Sequence, residues 1–337
     1  MGVFTMQCSL PSLRKGCVDI QVATHYVPEK GLIDDCIVLE GLSKVHSKLK
    51  RGLKEPLETT RAMMTQFEEA VERGAQDTKG RIPRIVRSLT ELDAALKNGD
   101  IAIIHAIEGG HSLGGDVATV DEFFERGVCM YTLAHFYENG VAPPVEGIPY
   151  DFFLKKLGCF KHKHDATKSL PDLGRTVVER MIEKGIIIDL THCTPPAREA
   201  ICDINAKRRP LVYSHTGLLE LMPHELNVSA EQVKRVAETG GMVGVILMPY
   251  YLKTPKQEKG FEPIIETLRL MINYAGEEGV GFGSDFDGFT DPPDDVHEPG
   301  EYPRLTEQLL KAFGEKQTEK ILGANFVRVL RAGWGRV

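Results

Sequence analysis

Histidines and carboxylates recur in this chain at the ends of short aliphatic runs. AIIHAIE ends in Glu108, CMYTLAH in His135 and IIIDLTH in His192. LVYSHT carries His215 beside its end, VGFGSDFD carries Asp285, and VDIQVATHY adds His25. Imidazole nitrogen with carboxylate oxygen is a donor set that suits zinc, and also manganese or ferrous iron. A carboxylate can bridge two such ions. The chemistry that follows is activation of a water to hydroxide and attack on a carbonyl carbon. A second carboxylate must take and return the proton. Asp285, in the last of these runs, is the natural candidate for that task.

Each residue also has a plainer reading. A lone histidine at a strand end is commonly structural; three of them with a glutamate and an aspartate on one face are not explained that way. His105, inside its run, reads as structural, and His25 stays open between the two. His162 and His164, in the tract KHKHD, read as a solvated loop. Asp189 and Asp287 are placed to orient a histidine. Cys193 reads as a loop thiol rather than a soft ligand.

Such residues are far apart in sequence, so the fold must gather them. Seven strand-like runs are found, starting at Val18, Ala102, Cys129, Ile186, Leu211, Met242 and Val280. Most are apolar throughout, as in parallel strands buried on both faces. Helical patterns lie between them: Thr90 to before Gly99, Thr176–Lys184, a capping box at Ser229 and Gln232, Pro263–Ala275, and a closing pair containing Leu322 and Phe326. GGHSLGG lacks the spacing of a dinucleotide loop. The expectation is one α/β domain over residues 1–337, a (β/α)8 TIM-like barrel, whose strand ends all open on one face. The irregular stretch from Asn139 to Lys168 would be a lid or pocket wall over that face.

Hydrophobic residues make up 42% of the 337, enough for a large core. The net charge of −7 argues against nucleic acid or anionic membrane as partner and leaves a small-molecule substrate. The seven cysteines are odd in number and form no C-x-x-C pair, which argues against a disulfide framework and for a reducing compartment, the cytoplasm. No apolar run reaches the ~18 residues of a membrane span. A homodimer is compatible with the sequence, which does not set the oligomeric state.

IEGGHSL, GVCMYTLAH, KGIIIDLTH, PLVYSHT, VGFGSDFDG and LGANFVRVL, in this order, resemble the membrane (renal) dipeptidase family of zinc metallopeptidases, within the amidohydrolase superfamily. The resemblance runs from about Leu10 to Leu330. It implies a barrel with a two-zinc site that hydrolyses dipeptides. By the same resemblance Glu108 is the carboxylate bridging the metals, and His192 and His215 bind the second of them. His135 contacts the substrate and steadies the oxyanion; Asp285 handles the proton of the attacking water.

Two departures shape the expectations. The family opens with a strand ending in an H-x-D pair that holds the first metal, and nothing from Met1 to Asp19 matches it. The first strand is therefore expected to be missing or diverged, with two zinc ions if a preceding segment supplies the pair and one otherwise. A barrel that lacks a metal could also serve as a non-catalytic binding protein. The family also places an arginine for the substrate carboxylate where this chain has Leu226, beside Asn227. That favours another small amide, lactone or ester over a plain dipeptide.

Overall fold

The computed structural model describes residues 6–45, 53–77, 79–149, 153–252, 260–289 and 291–336. Its centre is a parallel sheet of eight strands: β1 Ile20–Tyr26, β2 Pro83–Ile85, β3 Ile101–Glu108, β4 Val128–Thr132, β5 Ile187–Asp189, β6 Leu211–Thr216, β7 Met242–Val245 and β8 Val280–Phe282. The ladder runs β1-β3-β4-β5-β6-β7-β8, with β2 on β3. Helices follow the strands, so the architecture is the expected TIM-like one. All seven expected strands are present. A further strand, β2, carries no strand signal because its sequence, PRI, is short and holds a proline and a charge; it is not the N-terminal strand expected to be missing or diverged. Among the described residues no strand joins β1 to β8.

The helix ends follow local chemistry. Ser88 caps the helix Leu89–Asn98 and Gly99, at φ 70°, stops it. The expected capping box of Ser229 and Gln232 forms with both bonds. Two long helices escaped the sequence reading, Pro56–Ala75 and Pro195–Asn205. No described helix is long and apolar enough to cross a membrane.

Alternation along β3 sorts its residues by face. Ala102, Ile104 and Ala106 pack with Met130, Ile187, Val212 and Trp334 in one core cluster. Ile107 packs in the larger cluster with Tyr131, Ile188 and Tyr213. Glu108 has the parity of the first group and His105 that of the second.

His105 accordingly faces the helix Pro56–Ala75. Its Nε2 lies 3.1 Å from Glu68 Oε1, and its Nδ1 lies 2.8 Å from Nε2 of His25. Arg87 and Arg126 hold the Glu68 carboxylate. One proton pattern satisfies the chain: His105 donates to Glu68 and accepts from a neutral His25. Burial lowers the pKa of His25 to about 3, with His105 and Arg126 adding to the effect. Burial also lowers His105 to about 4, against the pull of Glu68. Unfolded, both would titrate near 6.5. Between about pH 4 and 6.5 the unfolded chain therefore binds protons that the folded chain refuses, and stability falls as pH drops through that window. In urea unfolding at pH 7 and pH 5, the loss for His105→Gln should be smaller than for the parent by about 2 kcal/mol. Equal losses would show that this pair does not carry the pH dependence.

One expectation about cysteine is corrected. Cys36 and Cys159 form a disulfide, packed with Ile148 and Phe160. The partners are 123 residues apart, so spacing gave no sign of them. The argument for a cytoplasmic location from unpaired thiols lapses with that bond. Among the described residues the other five cysteines are free.

Candidate metal centre

Register lines up the carboxyl ends of the strands. Tyr26 lies opposite Glu108, Glu108 opposite Thr132, and Thr132 opposite Asp189. Just beyond this row the chain turns back over the sheet. His192 and Asp285, each three residues past its strand, adopt φ 67° and 57°. These left-handed positions are uncommon for side-chain-bearing residues and cluster at functional sites.

Glu108, His192 and His215 meet there, all buried. His192 Nε2 and His215 Nε2 are 3.1 Å apart and lie 3.4 and 3.7 Å from Glu108 Oε1. His135 joins the cluster: Glu108, His135 and His192 offer ligand atoms within 4.8 Å of one another. The structure thus brings together the ligands expected from sequence. Asp285 lies close enough for its charge to act on His215 and His135.

Asp189, fully buried, organises one side. It accepts from Thr132 Oγ1 at 2.6 Å, from Thr191 Oγ1 and N, and from both N and Oγ of Ser214. Ser214 Oγ, having given its proton to Asp189, must accept from His215 Nδ1, 2.7 Å away. That leaves the lone pair of His215 Nε2 aimed at Glu108 and His192, the tautomer of a metal ligand. Asp287, by contrast, is taken up by the backbone N–H groups of Gln7 and Cys8 and orients no histidine. Cys193 is buried in the main core. His25 and His105 bond to each other on the helix side, and His162 meets His164 edge-on beside Tyr137.

The loop expected as a pocket wall does lie against the site. Val145 N donates to the carbonyl of His192, and Thr194 N to that of Pro143. A Cβ on Gly147 would stand 2.5 Å from the Phe136 ring and 3.2 Å from His192 Nδ1, so only glycine fits this approach.

The buried acids and imidazoles shift one another's pKa values. Burial raises the pKa of Glu108, yet the nearby His135, His192 and His215 outweigh it and hold the carboxyl below the usual range. Burial disfavours a proton on His215, yet Asp285, Glu108 and Asp189 raise its pKa. Asp285 is raised to about 6, by burial and by Glu108, against His215 and His135. Burial lowers His192 to about 4, with His135 and His215 adding to the effect and Glu108 opposing it. Glu108 Oε1 is buried without a hydrogen-bond partner. Two ring nitrogens facing each other with that oxygen fit a cation between them.

The family model of membrane dipeptidase, peptidase family M19, matches residues 3–333. The chain belongs to the membrane dipeptidase family. The dipeptidase aclJ of Aspergillus oryzae is 28% identical over 234 residues, covering 69% of this chain and 51% of that protein. The dipeptidase tcpJ of Claviceps purpurea is 26% identical over 236 residues, covering 70% of this chain and 52% of that protein. The chain spans about half the length of these two relatives. A metallo peptidase from Rhodobacter sphaeroides, solved with a phosphinate mimic of the dipeptide L-Ala-D-Ala, has a TM-score of 0.78 at 21% identity, covering 98% of this chain and 91% of that one. An amidohydrolase from Pseudomonas aeruginosa has a TM-score of 0.73 at 23% identity, covering 97% of this chain and 99% of that one. Both likenesses concern the fold. Membership in the membrane dipeptidase family implies a metal.

Two features of the site were absent from the sequence reading. Ser214 links Asp189 to His215, although it stands next to that histidine in the quoted run. Glu29, buried, contacts His135. Its only sequence signal is its place three residues beyond the end of β1.

Proposed function

We propose that the chain is a zinc-dependent hydrolase of dipeptides or closely related small amides. The observation that carries this is the convergence of Glu108, His192 and His215 on one gap, with His135 and Asp285 beside it, in a chain of this family. Glu108, His192 and His215 hold the ion. Zinc held there would polarise a carbonyl and lower the pKa of a water. Asp285 takes the proton of the attacking water and passes it to the leaving nitrogen. His135 presents a protonated ring edge to the developing oxyanion; Glu29, Glu108 and Asp285 raise its pKa against burial. The ligand of the Rhodobacter protein, a dipeptide mimic, supports the substrate class.

A second reading rests on position 226. Leu226 is 1% exposed in the main core; its N–H is given to His224 Nδ1 and its carbonyl accepts from Thr216. A leucine so held offers no cation for a free carboxylate. That favours small amides whose leaving side is uncharged. The protein should bind at least one zinc per chain, and a panel of dipeptides against their C-terminal amides and N-acyl amino acids separates the readings. Faster turnover of uncharged leaving groups selects the second. No turnover of either by zinc-loaded protein would reject both.

A further inference from the structure

Glu29 is a buried acid whose placement the reaction described above does not use. It is 4% exposed. It stands at the N-cap position of the helix Lys30–Asp34, where an acid would normally bond the free N–H groups of the first turn, yet its side chain makes no capping bond. Both oxygens turn the other way. Oε1 accepts from Phe136 N at 3.0 Å and lies 3.2 Å from His135 Nδ1. Oε2 accepts from Tyr26 OH at 2.6 Å and lies 3.3 Å from the same Nδ1. The His135 ring is held between the two aromatic residues that also bond Glu29. Its centroid is 4.2 Å from that of Tyr26 and 3.7 Å from that of Phe136.

We propose that Glu29 is a positioning residue for His135, accepting a hydrogen bond from Nδ1–H and so fixing the Nε2 edge toward Glu108 and His192. The carboxylate sets the ring's rotation and keeps a proton on Nδ1, while Tyr26 and Phe136 set its tilt. An ionised acid at this depth is costly without a partner, and His135 is that partner. The Glu29 pKa agrees: burial raises it, but His135 first, then His111 and Tyr26, bring it down to about 2. The inference rests on His135 acting in the reaction proposed above, but its geometry stands apart from the substrate.

The test compares Glu29→Gln and Glu29→Ala with the parent, all zinc-loaded, in two measurements. The first is steady-state kinetics on the best substrate of the panel, with zinc content and thermal midpoint recorded. Glu29→Gln should lower kcat about 10- to 100-fold with KM within about threefold and zinc content unchanged, and Glu29→Ala should lower it further. The second is 15N NMR of histidine-labelled protein, with His135 assigned from His135→Asn. The parent should show a protonated Nδ1 at His135, and Glu29→Gln a mixture of tautomers. Retained kcat with an unchanged Nδ1 signal overturns the proposal, as does a lower thermal midpoint with no change in either. If the parent hydrolyses nothing on the panel, the proposed activity fails, and the NMR result alone decides the role of Glu29.

Discussion

Glu108→Gln is expected to empty the metal site and remove activity. Glutamine keeps the shape of the side chain but replaces an anionic oxygen with a neutral amide, a poor ligand for a divalent ion. Glu108 is the carboxylate among the three residues assigned to the ion, and His192 and His215 face its Oε1 from 3.4 and 3.7 Å. Without it the two imidazoles keep their geometry but lose the charge that draws a cation between them. Loss of metal assistance is expected to cost about 4 kcal/mol or more of transition-state stabilisation, a fall in kcat/KM of about 10³-fold. Elemental analysis of the dialysed variant should find less than about a tenth of the zinc of the parent. Because glutamine is nearly isosteric with glutamate, the fold should survive, and an unchanged far-UV spectrum checks that. Parent-like zinc content in a folded Glu108→Gln protein would show that the ion is held elsewhere.

How much of this site could be read from the residues depends on how each is carried. Glu108 and His215 sit inside regular strands, so an apolar run ending in a polar residue marked them directly. The other groups share a rule that the strand pattern only hinted at. Glu29, His135, His192 and Asp285 each stand three residues beyond the last residue of β1, β4, β5 and β8. The residues between form the turn that points each side chain back over the sheet. Quoted runs extending past the true strand ends captured the last three. Glu29 was lost because the first run was closed at Tyr26, before Val27 and Pro28.

Other features had no local signature. The Cys36–Cys159 bond joins segments that only the folded loop brings together. The helix Pro56–Ala75 is rich in polar residues, with Thr60, Met64 and Val71 buried on a narrow stripe, so its period was easy to miss. His25 and His105 illustrate the reverse. Two histidines flanking a strand full of chemistry belong to the helix face, because alternation places odd positions of β3 away from Glu108. Parity, rather than residue type, separates His105 from the site.

Asp285→Asn should separate catalysis from metal binding. Asp285 is proposed as the group that carries the proton, not as a ligand; its charge interacts with those of His215, Glu108 and His135. Asparagine has nearly the same volume but cannot take a proton from water or return one to a leaving amine. Removing a positioned acid or base typically costs 10²- to 10⁴-fold in rate, and the loss should fall on kcat. Zinc content should stay at the parental level, in contrast to Glu108→Gln. Stripped of zinc, the variant should be at least as stable as the zinc-free parent at neutral pH. Burial raises the folded pKa of Asp285 from 3.8 to about 6, so keeping it ionised above that pH works against folding. The neutral amide removes this cost, while its φ of 57° is one that asparagine tolerates well. A kcat within about tenfold of the parent, at equal zinc content, would assign the proton transfer to another group, and His135 would be the first to examine.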